Sequence, residues 1–120
     1  MIMTKSQNKS TGKIGEDLAV DLLINKGYQI LERNWGNKWG EIDIIAKDDE
    51  ILVFVEVKTK IGDFFGTPEE MVNHHKLSQL QKIASSYSSS ENSPKRIDIV
   101  AIVLSPDLSP ERINHYQAVY

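Results

Sequence analysis

The sequence contains no cysteine, so disulfide bonds and thiolate metal sites are both excluded. It also has no apolar run of about 18 residues or more, and we therefore expect no membrane-spanning helix and no membrane partner. The opening residues lack the apolar centre of a secretory signal. These absences favour a cytoplasmic protein.

A strong excess of charge of one sign is also missing, because the formal net charge is only −3. A balance of this size gives no overall signal for nucleic-acid binding. The distribution is less even, since residues 41–57 hold six acidic residues and one basic residue. A carboxylate cluster flanked by scattered lysines suits a cation site that must also admit a polyanion. It equally suits an exposed acidic turn.

The pattern of apolar residues predicts a single domain over residues 11–120, preceded by a flexible N-terminal tail at residues 1–10. A first helix is predicted at 11–26. A second helix is predicted to start with Thr67 as its N-cap and Pro68 in its first turn, and to run to about residue 87. Runs rich in β-branched and aromatic residues predict five strands, at 28–35, 40–46, 51–58, 96–104 and 113–120. The predicted fold class is therefore α/β, with a mixed sheet flanked by helices.

The second and third predicted strands carry three charged residues, Asp43, Glu56 and Lys58, within very apolar runs. If residues 48–49 form a two-residue hairpin loop, Asp43 lies opposite Phe54 and diagonally across from Glu56. Such diagonal neighbours are roughly 7–8 Å apart at Cα. Because side chains alternate along a strand, both acids and Lys58 would then share one face of the sheet. A slip of one residue would separate the two acids.

Two carboxylates this close repel each other, so a buried pair needs a counter-charge. Lys58 supplies one positive charge, and a divalent cation would supply more. Oxygen ligands favour Mg²⁺ or Mn²⁺ over zinc. We therefore expect a metal site formed by Asp43, Glu56 and a backbone carbonyl such as that of Val57. The chemistry that this pattern indicates is metal-assisted hydrolysis of a phosphodiester, with Lys58 orienting the attacking water or offsetting negative charge.

The spacing of Asp43 from Glu56-Val57-Lys58 is that of the D-(E)xK motif of restriction-endonuclease-like nucleases. The chain more closely resembles the YraN family of bacterial endonuclease-like proteins, relatives of archaeal Holliday-junction resolvases. The matching segments are GKIGEDLA (12–19), GYQILERNW (27–35), GEIDIIA (40–46), VFVEVKTK (53–60), FGTPEE (65–70) with Lys76, and RIDIVAI (96–102). Two departures are Ile42 in place of a proline and Lys60 in place of a frequent arginine.

The resemblance implies a restriction-endonuclease-like αβββαβ core and a catalytic set of Asp43, Glu56 and Lys58. It also implies that Glu16 is an accessory acid, which would explain why this residue falls in an apolar sector of the first helix. The activity it implies is a Mg²⁺- or Mn²⁺-dependent endonuclease acting on DNA, with branched or flapped structures as candidate substrates. Four basic residues around the predicted site are candidate phosphate contacts: Arg33, Lys38, Lys60 and Lys76.

Other readings of the same residues stay open. The charged trio could form a surface ion pair, and the chain could be a non-catalytic nucleic-acid-binding or protein-adaptor module on a nuclease fold. RNA cleavage would use the same residues as DNA cleavage. A homodimer would place two sites by twofold symmetry, and residues 61–65 are the candidate contact.

For several other side chains, we predict a structural role and not a functional one. For Trp35 and Trp39, packing is favoured over stacking on bases, and His74 and His75 are expected at the surface. His115 is expected on an edge strand, with nothing to pair it to a metal site.

Overall fold

The computed structural model describes residues 5–62, 66–87 and 93–120. Its helices and strands follow the predicted order, with one short 3₁₀ helix added. They are α1 (Lys5–Asn25), β1 (Gln29–Asn37), β2 (Gly40–Asp48), β3 (Ile51–Ile61), the 3₁₀ helix (Pro68–Met71), α2 (His74–Ser86), β4 (Lys95–Leu104) and β5 (Pro110–Tyr116). The α/β class with a mixed sheet is confirmed, and the arrangement fits a restriction-endonuclease-like core.

The five strands form one sheet in which the spatial order equals the chain order. Neighbouring strands are antiparallel except β3 and β4, which pair in parallel over Leu52–Ile61 and Lys95–Leu104. A parallel pair needs a long crossover, and here the crossover contains α2. Strand β4 is paired on both sides, which explains why it is buried along almost its whole length.

The core consists of two apolar layers, one on each face of the sheet. The layer on the α1 face is built around Ala19, Leu23, Ile44, Val55 and Val100. The layer on the α2 face is built around Ile42, Ile45, Phe54, Leu80 and Ile83. Both helices therefore bury their apolar sides against the same sheet from opposite directions.

The structure corrects both helix boundaries. Helix α1 begins at Lys5, so residues 5–10, predicted to belong to a flexible tail, are helical. The second predicted helix is interrupted, because the 3₁₀ turn after Thr67 ends and Val72 and Asn73 are extended. Helix α2 starts afresh because the Asn73 side chain accepts a hydrogen bond from the Lys76 N–H at 3.0 Å.

The β2–β3 turn differs from the prediction by one residue. Asp48 pairs with Ile51, so the turn residues are 49–50 and not 48–49. Asp49 takes a positive φ of 56°, which aspartate tolerates better than most residues and which suits a tight hairpin. The resulting register shift is two positions, an even number, and the faces assigned to the two strands are therefore kept.

Regular alternation nevertheless fails in β2 at Asp43. Ile42 and Ile45 both pack on the α2 face, although residues three apart should point in opposite directions. The β2–β3 pairing also ends at Ile44 and Val55. Asp43 thus lies just beyond the last paired residues, where β2 no longer follows the ideal pleat.

Helix α1 passes very close to β3 at Gly15. A Cβ atom added at Gly15 would lie 1.8 Å from Thr59 Oγ1, so only glycine fits between the helix and this strand. The close approach holds the next residue, Glu16, over the end of β3 that carries Lys58. Within the described ranges, no helix is long and apolar enough to cross a membrane.

Candidate active site

Asp43 and Glu56 come together on adjoining strands with little access to solvent. Glu56 is only 3% exposed, and Asp43 Oδ2 accepts a hydrogen bond from the backbone N–H of Val57 at 2.7 Å. Burial raises the pKa of Asp43 to about 8, with a further contribution from a hydrogen bond to Glu56 and from its charge. The two carboxyl groups therefore form a coupled pair that one proton or one cation would stabilise.

Lys76 supplies a positive charge to this pair from α2. Its Nζ lies 2.9 Å from Glu56 Oε2, and both side chains are largely shielded from solvent. The approach is an ion pair without hydrogen-bond geometry, since Oε2 is buried and has no hydrogen-bond partner among the described residues. Lys76 was predicted to contact phosphate. The structure places it beside an acid of the site, and its contact with phosphate stays a prediction.

Glu16 reaches the same region from α1. Its Oε1 accepts hydrogen bonds from Arg33 Nε at 2.9 Å and from Asn34 Nδ2 at 3.1 Å. Arg33 also binds Asp17 through Nη2 at 2.7 Å. The acid in the apolar sector of α1 thus has an arginine partner from β1. The negative charge of Glu16 also adds to the rise in the pKa of Asp43.

A cavity of about 250 Å³ opens beside these acids. Its lining combines acids, an amine and small residues from α1, β2 and β3: Thr11, Gly12, Glu16, Asp43, Val57, Lys58 and Thr59. Lys58 makes no ion pair or hydrogen bond with the described part of the chain, so its ammonium group is available to a ligand in the cavity. Glu56 is not part of the lining and lies next to Asp43.

We tested whether these residues suit a divalent cation. In the described ranges, no group of three or more acidic or histidine side chains is arranged to hold a metal. Mg²⁺, however, commonly takes only one or two carboxylates and keeps several waters. The Oε2 atom of Glu56 has an ion pair with Lys76 but no hydrogen bond among the described residues, and the pKa of Asp43 is raised. A cation bound by these oxygens would relieve both features. The donor set therefore fits Mg²⁺ or Mn²⁺.

The remaining predicted contacts are more scattered. Val57 contacts Asp43 through its backbone N–H, and the role of its carbonyl oxygen as a metal ligand stays a prediction. Lys60 lies two residues beyond Lys58 on β3, whereas Lys38 lies in the β1–β2 turn against Trp39. His74 and His75 are exposed. The predicted dimer segment at 61–65 falls partly outside the described residues, which include only its first two positions.

One cluster was missed. His115 has two polar partners: its Nε2 lies 2.8 Å from Asp98 Oδ2, and its Nδ1 lies 2.8 Å from Lys26 Nζ. Asp98 also pairs with Arg96 from its own strand, whose Nε lies 3.0 Å from Asp98 Oδ1. Asp98 is fully buried and also accepts the N–H of Ala118, so the cluster fixes the segment after β5 to β4. The acid within the apolar run of β4 was the sequence signal that could have indicated it.

The chain thus has a mixed α/β sheet with paired acids at a cavity, an arrangement of the restriction-endonuclease-like class. Comparison with known proteins identifies the family. The model described as Uncharacterised protein family UPF0102 matches residues 15–102, and the chain belongs to that family.

Three relatives show how far the similarity extends. A UPF0102 protein of Caldanaerobacter subterraneus subsp. tengcongensis is 44% identical over 117 residues, covering 94% of this chain and 96% of the relative. A UPF0102 protein of Thermodesulfovibrio yellowstonii is 50% identical over 93 residues, covering 76% and 83%. A UPF0102 protein of Syntrophus aciditrophicus is 41% identical over 110 residues, covering 89% and 87%.

Proposed function

We propose that this chain is a Mg²⁺- or Mn²⁺-dependent endonuclease that hydrolyses phosphodiester bonds in DNA, with branched or flapped structures as preferred substrates. The observation that carries the proposal is the coupled pair Asp43 and Glu56 beside a cavity that also presents Lys58. A buried acid pair costs stability unless it is compensated. A role in holding a cation explains why the fold tolerates it.

Each residue has a defined part in this proposal. Asp43 and Glu56 would hold the ion, and the Val57 N–H orients the Asp43 carboxylate through its 2.7 Å hydrogen bond. When bound, the ion would polarise the phosphate and lower the pKa of an attacking water. The ammonium group of Lys58 would offset negative charge that develops on the phosphate oxygens. Lys76 balances part of the charge on Glu56.

Glu16 acts in this scheme as an accessory acid at the rim of the cavity. The hydrogen bond from Arg33 fixes its side chain, which is only 13% exposed. Held in this position, it can orient water that enters the cavity beside Asp43.

The test is a cleavage assay on labelled single-stranded, duplex, flap and four-way DNA, together with matched RNA, in the presence of Mn²⁺. We expect the wild type to cut at least one DNA substrate. Asp43→Asn and Glu56→Gln should each reduce the cleavage rate by about 100-fold or more, equivalent to a loss of ~2.7 kcal/mol in transition-state stabilisation. Glu50→Gln removes an exposed acid from the β2–β3 turn and serves as the matched control. Equal cleavage by all four proteins would show that the assignment is wrong.

The Lys76–Glu56 ion pair favours a second candidate, a non-catalytic binding module in which the ammonium replaces the cation permanently. In that case, the acids would stabilise the fold without performing chemistry. Calorimetric titration with Mn²⁺ separates the two candidates. A nuclease should bind the ion, and Glu56→Gln should abolish the binding. A binding module should give no heat of binding with either protein.

A further inference from the structure

A second surface with ligand-binding character lies away from the acid pair, at the tip of the β1–β2 hairpin. Trp39 is 42% exposed there. Trp35, four residues earlier, packs into the core layer on the α2 face and meets Tyr87 edge-on at 5.1 Å between ring centroids. The packing predicted for both tryptophans is thus observed for Trp35 alone. Trp39 leaves a large part of its indole uncovered.

Two lysines from different elements flank the Trp39 ring. Lys38 Nζ, from the hairpin, and Lys82 Nζ, from α2, each lie 5.2 Å from the ring centroid. A single exposed cation–π contact is worth about 0.5–1 kcal/mol, and the second lysine brings repulsion between like charges. A polyanion bound at this surface would relieve that repulsion. The positive charge here is local, because the formal net charge of the whole protein is −3.

The tip is held firmly against α2. The backbone N–H of Trp39 donates to Asn37 Oδ1 at 2.9 Å, and Asn37 Nδ2 donates to Ser86 Oγ at 2.5 Å. Ser86 in turn donates to the carbonyl of Ile83 at 2.7 Å. This chain of hydrogen bonds fixes the backbone that presents the indole, so a ligand would meet an ordered surface at little entropic cost.

A cleft of about 490 Å³ lies beside the ring, larger than the cavity at the acid pair. It is lined by Trp39 and by residues from the polar side of α2: Ser78, Gln81, Lys82, Ser85 and Ser86. None of these is acidic. Hydroxyl and amide groups beside an aromatic face and an ammonium group can contact both the edge of a base and a phosphate.

We propose that Trp39, Lys38 and Lys82 form a binding site for an unpaired nucleotide, with the base stacked on the indole and the lysines contacting the adjacent phosphates. Trp39 lies in the turn that leads into β2, four residues before Asp43, which is a path of at most roughly 13 Å at the rise of an extended strand. If the chain is the proposed nuclease, this site would select substrates with a single-stranded portion near the scissile bond, and that part of the inference rests on the proposed function. A partner protein at this surface is the competing explanation.

Binding can be tested without cleavage, using a fluorescein-labelled 15-nucleotide oligothymidylate and the full chain in EDTA. Fluorescence anisotropy should show that Trp39→Ala weakens binding by about 5-fold or more, since stacking contributes ~1–3 kcal/mol per base. Trp39→Phe should recover part of the loss. The wild-type tryptophan fluorescence should be quenched by unlabelled oligonucleotide, and that quenching should be lost in Trp39→Ala.

The lysines are tested by the salt dependence of the same binding. The Lys38→Gln/Lys82→Gln protein should lower the slope of log affinity against log salt by about 1.4, the value for two phosphate contacts on a single strand. Lys95→Gln, an exposed lysine at the start of β4, is the matched control and should leave the slope unchanged. Thermal unfolding of every variant checks that the fold is kept.

The outcomes separate this inference from the proposed nuclease activity. Oligothymidylate binding that depends on Trp39, without cleavage of any substrate, would support the nucleotide site and refute the nuclease. Cleavage in Mn²⁺ with affinities that agree within twofold between wild type and Trp39→Ala would refute the nucleotide site alone. Failure of the wild type to bind the oligonucleotide would also refute it, and would leave the surface to a protein partner.

Discussion

Asp43→Asn should stabilise the metal-free protein at alkaline pH, although it removes a proposed ligand. The carboxyl group of Asp43 has its pKa raised from 3.8 to about 8, first by burial and then by Glu56. The fold therefore prefers this group protonated. Its contribution to stability is most favourable below pH 3.8, and it is lost as the pH rises through about 8. The amide is neutral throughout and keeps an oxygen that can accept the Val57 N–H.

The size of the effect follows from the same shift. A change in pKa from 3.8 to about 8 sets an upper limit of ~6 kcal/mol on the cost of ionising Asp43 in the fold. The ammonium group of Lys76 beside Glu56 offsets part of that cost, and the open cavity lets solvent reach the carboxyl group. We therefore expect Asp43→Asn to exceed the wild type by ~2 kcal/mol in the free energy of unfolding at pH 9. For a chain of this length, that corresponds to a rise in Tm of roughly 8 °C.

The measurement is urea denaturation in EDTA, at pH 5 and at pH 9. Wild type should lose stability between the two values, while Asp43→Asn should lose much less. Glu50→Gln should follow the wild type. Replacing EDTA with Mg²⁺ at pH 9 should reverse the order, because only the wild type gains stability from binding the ion. The reasoning about the coupled acids fails if wild type and Asp43→Asn change equally with pH in the absence of metal.

Two further predictions concern the framework of the site. Gly15→Ala should lower the free energy of unfolding by ~1–2 kcal/mol in the same denaturation assay. The new methyl group overlaps Thr59, and this overlap outweighs the better helix propensity of alanine. Gly12→Ala is the control, because a Cβ atom there would meet nothing within 4 Å, and it should be neutral or stabilising. Burial alone would raise the pKa of Asp98, but hydrogen bonds from His115, Arg96 and the Ala118 N–H outweigh it and lower the pKa. The stabilisation from Asp98 is therefore present above pH 3.8 and is lost as the pH falls below that value. Asp98→Asn should cost ~3 kcal/mol at neutral pH. The cost should be smaller by up to ~1 kcal/mol at pH 3, because linkage changes the free energy of unfolding by at most ~1.4 kcal/mol per pH unit below the ordinary pKa of 3.8. Faster exchange of the Ala118 amide hydrogen should accompany the loss, and equal destabilisation at both pH values would contradict this account.

Local patterns in the sequence predicted β2, β3 and β4 well, because each of them is a run of apolar, β-branched residues between turn residues. The last strand was predicted at 113–120 but forms at Pro110–Tyr116, where polar residues obscure the pattern. Local patterns were also less successful where two signals compete. Thr67 and Pro68 form a strong helix start, yet Asn73 provides a second N-cap, and the helix begins there. In the β2–β3 hairpin, consecutive polar residues offered two turns of equal length, and the one with Asp49 at positive φ forms.

The candidate site could also be predicted in part from local patterns in the sequence. Asp43 and Glu56 lie on consecutive strands, so hairpin geometry alone predicts their proximity. The contact of Lys76 with Glu56 depends on how α2 packs on the sheet, which no local pattern encodes. The same is true of His115 and Asp98, which meet across the β4–β5 pair 17 residues apart. Exposure of Trp39 and burial of Trp35 likewise depend on the position of α2.

The parallel pairing of β3 with β4 divides the charges of the site between two parts of the chain. Glu16, Asp43, Glu56 and Lys58 all belong to α1 and the β1–β2–β3 meander, whereas Lys76 arrives only with the crossover that leads to β4. A fragment that ends at Ile61 would therefore contain the carboxylates and Lys58 without Lys76, whose ammonium group pairs with Glu56. The positive charge beside Glu56 thus comes from a segment that is distant in sequence, so the compensation of this buried acid depends on long-range packing of α2 on the sheet.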